Sequence, residues 1–320
     1  MSELDRQTQR IFRRIVESGY DQDINQVYSR WDDTNEPAPT RFVINEHMRF
    51  APGVVPFMES KKQPKVDPIS ELFWFWIEKS NNVNLLRDKY KCKVWNQWEN
   101  KDPNSKWYGT IGPAYGYQLG LKCRKYPVEM LHPEMLKPGT LEDIMKTEFE
   151  GYVLLDQVDH LLHELVNNPA SRYHLTSFWD IRMLDDMMLK PCVWTAKFEI
   201  TENLLNLKLK VRSNDMALGN PYNMYQYFVL LQMISQVTGY QPGELYADID
   251  NAHYYNRHIK DTMKQLSEYD DSYPDPTFWI NPEVTNFYMF DHKKDFKVTL
   301  AEREDPNWEP VKYEFPIAVS

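Results

Sequence analysis

The sequence is poor in cysteine and glycine, and both shortages argue against whole classes of site. Three cysteines in 320 residues, Cys92, Cys123 and Cys192, give neither a disulfide framework nor a CxxC pair for a zinc ribbon or a redox centre. Eleven glycines are few for this length, which disfavours a glycine-rich phosphate loop. Aromatic residues are abundant instead, at 14%. This composition favours stacking interactions and apolar pockets.

Basic charge is scarce as well, because 37 Lys and Arg stand against 47 Asp and Glu, for a net charge of −10. A chain this acidic lacks the positive surface of proteins that coat nucleic acid, so we expect no nucleic acid among its required partners. An anionic ligand would have to be held by a local cluster of arginines.

Long apolar runs are also missing. The most apolar stretch, residues 72–77, is far shorter than the roughly 18 residues of a transmembrane helix. The polar residues 1–6 lack the apolar core of a signal peptide. We therefore expect a soluble, cytoplasmic protein with no membrane partner.

The spacing of apolar residues and prolines predicts the secondary structure of the first half of the chain. Ile11, Ile15 and Val16 recur at helical spacing and predict a helix within the first thirty residues. Six prolines interrupt residues 32–68, where we expect loops and short strands. An aromatic helix is predicted over 71–86, and the polar residues 101–111 are predicted to form a surface insertion.

The second half begins with a predicted helix over 154–166. Strict alternation of apolar and polar residues over 205–211 predicts a half-buried strand, paired as a hairpin with 193–200. A buried helix is predicted over 225–237, ended by Gly239. No repeat or linker divides the chain. We expect a single α/β or α+β domain over 1–320.

The helix at 154–166 carries His160, His163 and Glu164, and a His-x-x-His pair can ligate zinc. No third ligand follows at a suggestive spacing. We favour a polar, solvent-facing helix surface and expect no metal site.

Cys192 follows a proline and precedes a predicted strand, where a thiol could face a cleft. A lone cysteine is more often a small core residue. Arg212, at the end of the paired strand, is a candidate for the cation that lowers a thiol pKa.

Residues 212–223 are dense in polar groups just before an apolar helix. Such residues are often only helix caps. Arg212, Ser213, Asp215 and Asn223 nevertheless offer a phosphate ligand, a hydroxyl and an amide able to read a pyrimidine edge. His253 and the tyrosines beside it form a second cluster, able to bind a sugar hydroxyl.

Several short motifs follow one another in order within residues 45–319. They are Ser70-Glu71-Leu72-Phe73-Trp74-Phe75, Trp95 with Trp98, Gly112-Pro113-Ala114-Tyr115-Gly116, Asn168-Pro169-Ala170-Ser171-Arg172, Pro191-Cys192, Arg212 through Asn223, His253-Tyr254-Tyr255 and Pro316-Ile317-Ala318-Val319. Together they resemble the thymidylate synthase family. Several ordered motifs are far more specific than any one of them.

The resemblance implies an α/β (α+β) single domain with a large twisted mixed β-sheet flanked by helices, one sheet face forming a homodimer interface. The region of about 1–44 is divergent. The implied substrates are dUMP and the co-substrate 5,10-methylenetetrahydrofolate, without a metal.

The resemblance also implies a role for each matching residue. Cys192 would be the nucleophile and Glu71 the organiser of proton transfer. The remaining assignments are, for catalysis, Arg212, Tyr115 and Asp215; for the nucleotide, Arg172 from a second subunit, Arg212, Ser213, Asn223, His253 and Tyr255; and for the folate, Trp95, Trp98, Asp215, Gly219 and Ala318.

Four features depart from the usual family pattern. Val193 follows the nucleophile in place of His, Tyr173 follows Arg172 in place of a second arginine, and Asp180 replaces Asn after Trp179. The N-terminal Asp-Arg-Thr-Gly phosphate loop is absent; its nearest counterpart is the acidic run at 32–34, so that Arg30 or Arg41 would have to substitute.

These departures lead us to expect the dUMP hydroxymethylase branch, which captures the intermediate with water and is found especially in bacteriophages with modified DNA bases. A phage-encoded member would work in the host cytoplasm. Three alternatives stay open. They are a thymidylate synthase proper, which methylates dUMP to dTMP, a related enzyme acting on another pyrimidine nucleotide, and a non-catalytic nucleotide- or RNA-binding regulator on the same fold.

Overall fold

A computed structural model describes residues 2–267, 274–303 and 308–319. Within these ranges the helices are α1 (Glu3–Ser18), α2 (Asp67–Trp76), α3 (Val83–Tyr90), α4 (Gly116–Leu119), α5 (Leu141–Met145), α6 (Gln157–Asn167), α7 (Gly219–Thr238) and α8 (Asn256–Ser267). The strands are β1 (Tyr20–Asp21), β2 (Arg30–Trp31), β3 (Thr40–Phe50), β4 (Arg124–Pro127), β5 (Tyr152–Leu155), β6 (Leu175–Ser177), β7 (Val193–Thr201), β8 (Leu204–Val211), β9 (Asn214–Asp215), β10 (Gln241–Tyr255), β11 (Thr277–Ile280), β12 (Phe296–Thr299) and β13 (Ala318–Val319).

Seven strands form the central sheet, in the order β1-β3-β10-β8-β7-β6, with β9 beside β10. Strand β10 runs antiparallel to β3 and parallel to β8 and β9, whereas the other neighbours are antiparallel. Helix α7 packs on β10 and β8, and α1 packs on β3. The predicted large mixed sheet flanked by helices is confirmed.

The predicted hairpin is β7 and β8, which pair from Thr201 with Leu204 to Val193 with Val211. Successive side chains of a strand point to opposite faces of the sheet. Alternation in β8 therefore buries one set of residues against the helices, namely Leu205, Leu207, Leu209 and Val211.

Several predicted boundaries were wrong. Strand β3 has 11 residues in a region where we expected loops and only short strands, because the prolines flank it at Pro39 and Pro52 and leave its ladder intact. The aromatic helix over 71–86 is in fact α2 and α3, separated at Lys79, whose φ of 52° lies in the left-handed region. Helix α7 begins at Gly219, because Pro221 is tolerated in a first helical turn.

The histidine helix differs from its prediction. His163 is fully buried, and its Nδ1 lies 2.7 Å from the Asp159 carbonyl oxygen, so it does not face solvent. In the described ranges, no group of three or more His, Cys, Asp or Glu side chains is placed to hold a metal ion. Nor do these ranges contain a helix of the length and apolar character that crossing a membrane requires.

A buried charge network fixes the turn between α2 and α3. The Lys79 ammonium contacts Asp156 and lies 3.2 Å from Asp159 Oδ2, and the Tyr288 hydroxyl donates to Asp159. The turn continues into Ser80, against which Gly116 packs so closely that a Cβ there would lie 2.3 Å from the Ser80 carbonyl oxygen. Lys79 thereby positions the backbone on which residues 112–116 rest.

Replacing Lys79 by Met should lower the free energy of unfolding by about 3–5 kcal/mol, because two buried carboxylates lose their cation. Urea denaturation measures this. The matched control is Lys89→Met, since Lys89 is 54% exposed in its ion pair with Glu78 and should contribute less than about 1 kcal/mol. Equal losses in both variants would contradict the assignment.

Candidate active site

The site begins at the open end of the β7–β8 hairpin. There the Arg212 backbone N–H donates to the Cys192 carbonyl oxygen at 2.8 Å. The Arg212 guanidinium Nη2 lies 3.9 Å from Cys192 Sγ and donates to the Lys190 carbonyl oxygen at 3.1 Å. Strand pairing thus brings together the predicted nucleophile and the predicted cation.

We expected Arg212 to lower the pKa of the Cys192 thiol, but the net shift of that pKa is upward. Burial raises the pKa of the thiol above its ordinary value, and Arg212 opposes this as predicted, while Asp215 and Glu71 add to it. The net direction is upward because the nearby carboxyl groups and the loss of water both disfavour a thiolate. The free protein therefore favours the thiol form of Cys192.

Aromatic packing holds Tyr115 beside the cysteine. The Cys192 backbone N–H donates to the Tyr115 hydroxyl oxygen at 3.1 Å. The Tyr115 ring stacks on Phe75 with centroids 4.4 Å apart and meets Trp95 at 5.3 Å. Tyr115 has a φ of 45°, an uncommon conformation for a residue with a side chain. The tight packing around Gly112 and Gly116 fixes this backbone.

Glu71 of α2 is buried next to this aromatic group. Its Oε2 accepts from Trp95 Nε1 at 2.7 Å, and its Oε1 accepts from Gln226 Nε2 at 3.0 Å. Burial raises the pKa of Glu71 to about 7, although both hydrogen bonds act to lower it. A carboxyl group that titrates near neutrality can both accept and return a proton.

The two tryptophans expected on the folate side lie together. Their rings meet edge to face, with the Trp95 and Trp98 centroids 5.6 Å apart. Trp95 is buried and commits its N–H to Glu71, whereas Trp98 is half-buried.

The predicted sugar-binding cluster lies beside the arginine segment because β9 pairs with the end of β10. The Ser213 hydroxyl is 3.3 Å from His253 Nδ1, which is also 3.0 Å from Asn251 Oδ1. The His253 and Tyr255 rings lie 5.4 Å apart. Burial lowers the pKa of His253, which favours the neutral imidazole.

Asp215 shapes the entry into α7. Its Oδ1 accepts from the Ala217 backbone N–H at 2.9 Å, just before the helix begins at Gly219. One turn further, Asn223 Nδ2 donates to Asn214 Oδ1 at 3.4 Å. This anchored turn holds Asp215, Gly219 and Asn223 at one end of the helix.

The C-terminal segment reaches the same region through β2. Ala318 in β13 pairs with Trp31, whose ring lies 5.5 Å from Tyr255. The Pro316 carbonyl oxygen lies 2.7 Å from His258 Nε2. The structure thus connects Ala318 to the predicted nucleotide cluster.

Arg172 stands apart from the other predicted residues. It is exposed in the loop between α6 and β6 and has no hydrogen bond or ion pair with the described part of the chain. The proposed substitutes for the missing phosphate arginine also differ in availability. Arg41 donates to the Ile15 and Val16 carbonyl oxygens and to Asp21, whereas Arg30 donates to the Val27 carbonyl oxygen.

Sequence reasoning missed three residues of this region. Gln226 reaches Glu71 from α7. Lys61 is buried, with its ammonium on the Ala217 carbonyl oxygen and burial lowering its pKa to about 8. His258 contacts the C-terminal segment. Gln226 is a polar residue inside an apolar stretch, a signal that does not name its partner, whereas Lys61 and His258 stand among other polar residues and carried no signal.

Comparison with known proteins places this geometry in a family. The family model described as thymidylate synthase matches residues 6–306. The chain belongs to the thymidylate synthase family. It is 41% identical over 290 residues to the thymidylate synthase of Bacillus licheniformis, covering 91% of this chain and 92% of the relative. Identity to the thymidylate synthase of Bacillus phage phi3T is 39% over 298 residues, covering 93% and 95%.

A solved structure agrees with the sequence relatives. The thermostable thymidylate synthase A from Bacillus subtilis superposes with a TM-score of 0.81 at 39% identity, covering 98% of this chain and 99% of that one. The predicted family and fold are therefore confirmed. The expected hydroxymethylase branch is not supported, because these relatives carry the name thymidylate synthase.

Arg212→Gln should slow alkylation of Cys192 by iodoacetamide about tenfold at pH 8, since losing a cation this close raises a thiol pKa by at least about one unit. The rate is measured against pH in a Cys123→Ser background, because Cys123 is exposed. Cys92 contributes little, since burial raises its pKa to about 12. Arg182→Gln is the control, because Arg182 is 81% exposed and paired with Asp180. A rate unchanged by Arg212→Gln would refute the electrostatic role.

Proposed function

We propose that this protein transfers a one-carbon group from 5,10-methylenetetrahydrofolate to C5 of dUMP, with dTMP as the product. The observation that carries the proposal is the Cys192 thiol held 3.9 Å from the Arg212 guanidinium and connected through Tyr115 and Trp95 to the buried Glu71. A nucleophile, a cation and a proton-transfer group are what addition to a pyrimidine needs.

Cys192 would add to C6 of the uracil ring and make C5 nucleophilic. The thiol must first lose its proton. Arg212 favours the thiolate electrostatically and also suits a phosphate, because its Nε–H is buried without a partner among the described residues. Ser213 would add a hydroxyl to the same phosphate.

Asn223 would read the base, since its amide can both donate to O4 and accept from N3 of uracil. His253 and Tyr255 would hold the ribose hydroxyl. Arg172 would act on the phosphate of a second subunit in a homodimer, which fits its exposure and its lack of partners in the described chain.

The folate side is proposed for Trp98, Asp215, Gly219 and Ala318, with Trp95 behind them. Trp98 fits this role because its Nε1–H is buried with no partner among the described residues. When bound, the reduced folate supplies the carbon and, for methylation, the hydride. Asp215 offers a carboxylate, and Gly219 lets the first turn of α7 pack closely on Asn214, since a Cβ there would lie 3.1 Å from Asn214 Oδ1.

Glu71 would move protons at the pyrimidine, and Tyr115 would hold the backbone of the nucleophile through its hydroxyl. Glu71 can serve in both directions because its pKa lies at about 7. The chain would act as one catalytic domain in the cytoplasm and would need no metal or nucleic acid.

Hydroxymethylation is the second candidate. It is favoured by Val193, which cannot hydrogen-bond, and by Asp180, whose carboxylate accepts from Arg182 Nε at 2.9 Å. Val193 directly follows the nucleophile, and Asp180 follows Trp179, whose Nε1–H donates to the Pro191 carbonyl oxygen at 3.2 Å, so a change in ordered water there would matter. Methylation is the first candidate, since the relatives from Bacillus are named thymidylate synthases.

Mass spectrometry of the nucleotide after incubation with dUMP and 5,10-methylenetetrahydrofolate separates the two products. We expect dTMP, and a 5-hydroxymethyl product would establish the second candidate. Cys192→Ala should abolish turnover while leaving dUMP binding intact. Unchanged dUMP with the unmodified protein would refute both reactions and favour a nucleotide- or RNA-binding regulator.

Asn223→Asp should shift preference from dUMP towards dCMP, because a protonated carboxyl group can donate to N3 of cytosine while its other oxygen accepts from the amino group. The ratio of kcat/KM for the two nucleotides measures this shift. Asn220→Asp, on the adjacent buried face of α7, is the control for a new acid near the helix start. If the ratio does not rise, Asn223 does not read the base.

A further inference from the structure

Gln226 is a polar side chain on the buried face of α7, where most of the neighbouring residues are apolar. It is 2% exposed and lies three residues after Asn223, on the same face of α7. A buried amide without hydrogen bonds is costly, so its partners matter for stability and for the groups they bind.

The Gln226 amide contacts α2 at two points. Its Nε2 donates to Glu71 Oε1 at 3.0 Å and to the Pro68 carbonyl oxygen at 3.2 Å. A carbonyl and an ionised carboxylate only accept hydrogen bonds, so the NH2 end of the amide must face them. The chemistry of its neighbours thereby determines the orientation of Gln226.

Glu71 consequently receives an N–H on each oxygen, from Gln226 and from Trp95. A proton on the carboxyl group would have to face one of these donors or turn away from it. The two donors therefore favour the carboxylate, whereas burial and the nearby Asp67 favour the neutral acid. The opposing effects leave the group able to change its protonation state near neutral pH.

We propose that Gln226 is a positioning residue, which holds the carboxyl group of Glu71 in place and ready for proton transfer through its hydrogen bond to Oε1. The inference rests on the proposed function, in which Glu71 moves protons at the pyrimidine. It extends the site along α7 from Asn223 to Gln226, three residues further on the same face.

Gln226→Met tests this through the pH dependence of kcat/KM for dUMP. The ionised Glu71 loses a hydrogen-bond donor, so we expect the midpoint of the acidic limb of the kcat/KM profile to rise by about one pH unit. Well below that midpoint, kcat/KM of the variant should be roughly tenfold lower than that of the unmodified protein. A purely structural residue would lower the amount of folded protein without moving the midpoint.

Gln236→Met is the matched control. Gln236 lies on the same helix, and its Nε2 also donates twice, to the Asn281 and Val284 carbonyl oxygens at 2.9 and 2.7 Å. The substitution removes two hydrogen bonds from α7 but none from Glu71. It should lower stability and leave the pH midpoint where it is. An equal shift in both variants would overturn the proposal.

Direct titration of Glu71 by 13C NMR of glutamate-labelled protein, assigned with Glu71→Gln, gives a readout that needs no turnover. We expect the Glu71 midpoint to rise in Gln226→Met, and an unchanged midpoint overturns the proposal. If the unmodified protein does not convert dUMP, the proposed function fails. The titration still shows whether the hydrogen bond from Gln226 favours the ionised form of Glu71. Should Gln226→Met not fold, Gln226→Asn keeps the polarity and withdraws the donor by one methylene.

Discussion

The pairing of β7 with β8 is the constraint on which the site depends. Its register places Arg212 next to Cys192, and the parallel neighbour β10 then brings His253 to Ser213. A slip of one residue would move every side chain of β8 to the opposite face, exposing the apolar set that packs under the helices. Burial of that set therefore fixes the chemistry at the strand ends, although none of those apolar residues takes part in it.

A second consequence of this packing is that the two groups of the site that must lose a proton, the Cys192 thiol and the Glu71 carboxyl group, are removed from water. Burial raises the pKa of both Cys192 and Glu71, so the free site favours a neutral thiol and a partly protonated acid. The Arg212 guanidinium lies beside the thiol, 3.9 Å from Cys192 Sγ. The free site is thus locally more positive than a chain of net charge −10 suggests. An anionic ligand meets a cation that the surrounding carboxyl groups do not fully neutralise.

The sequence was most informative where one local pattern decides the structure. Alternation in β8 predicted the hairpin, and the hairpin predicted the Cys192–Arg212 contact. The length of strand β3 was missed because prolines on both sides suggested only loops and short strands, although they stand outside its ladder. The burial of His163 and the Glu71–Gln226 contact depend on which helices meet, and no local pattern encodes that. The motifs could place Glu71, Trp95 and Asn223 at a site, but only the fold shows that Glu71 takes the indole N–H of Trp95.

At the phosphate-binding end of the proposed site, the sequence lacks an arginine of the usual family pattern. This loss is connected with the proposed homodimer. Arg41 is committed to Asp21 and two carbonyl oxygens, and Asp33 in the acidic run is paired with Arg257. Arg212 offers a buried N–H with no partner in the described chain, whereas Arg172 is exposed in the loop between α6 and β6. A dianionic phosphate is held best by more than one guanidinium. With Arg41 committed, Arg172 of a second subunit becomes more important, so the proposed homodimer would complete the nucleotide site and affinity for dUMP would depend on assembly.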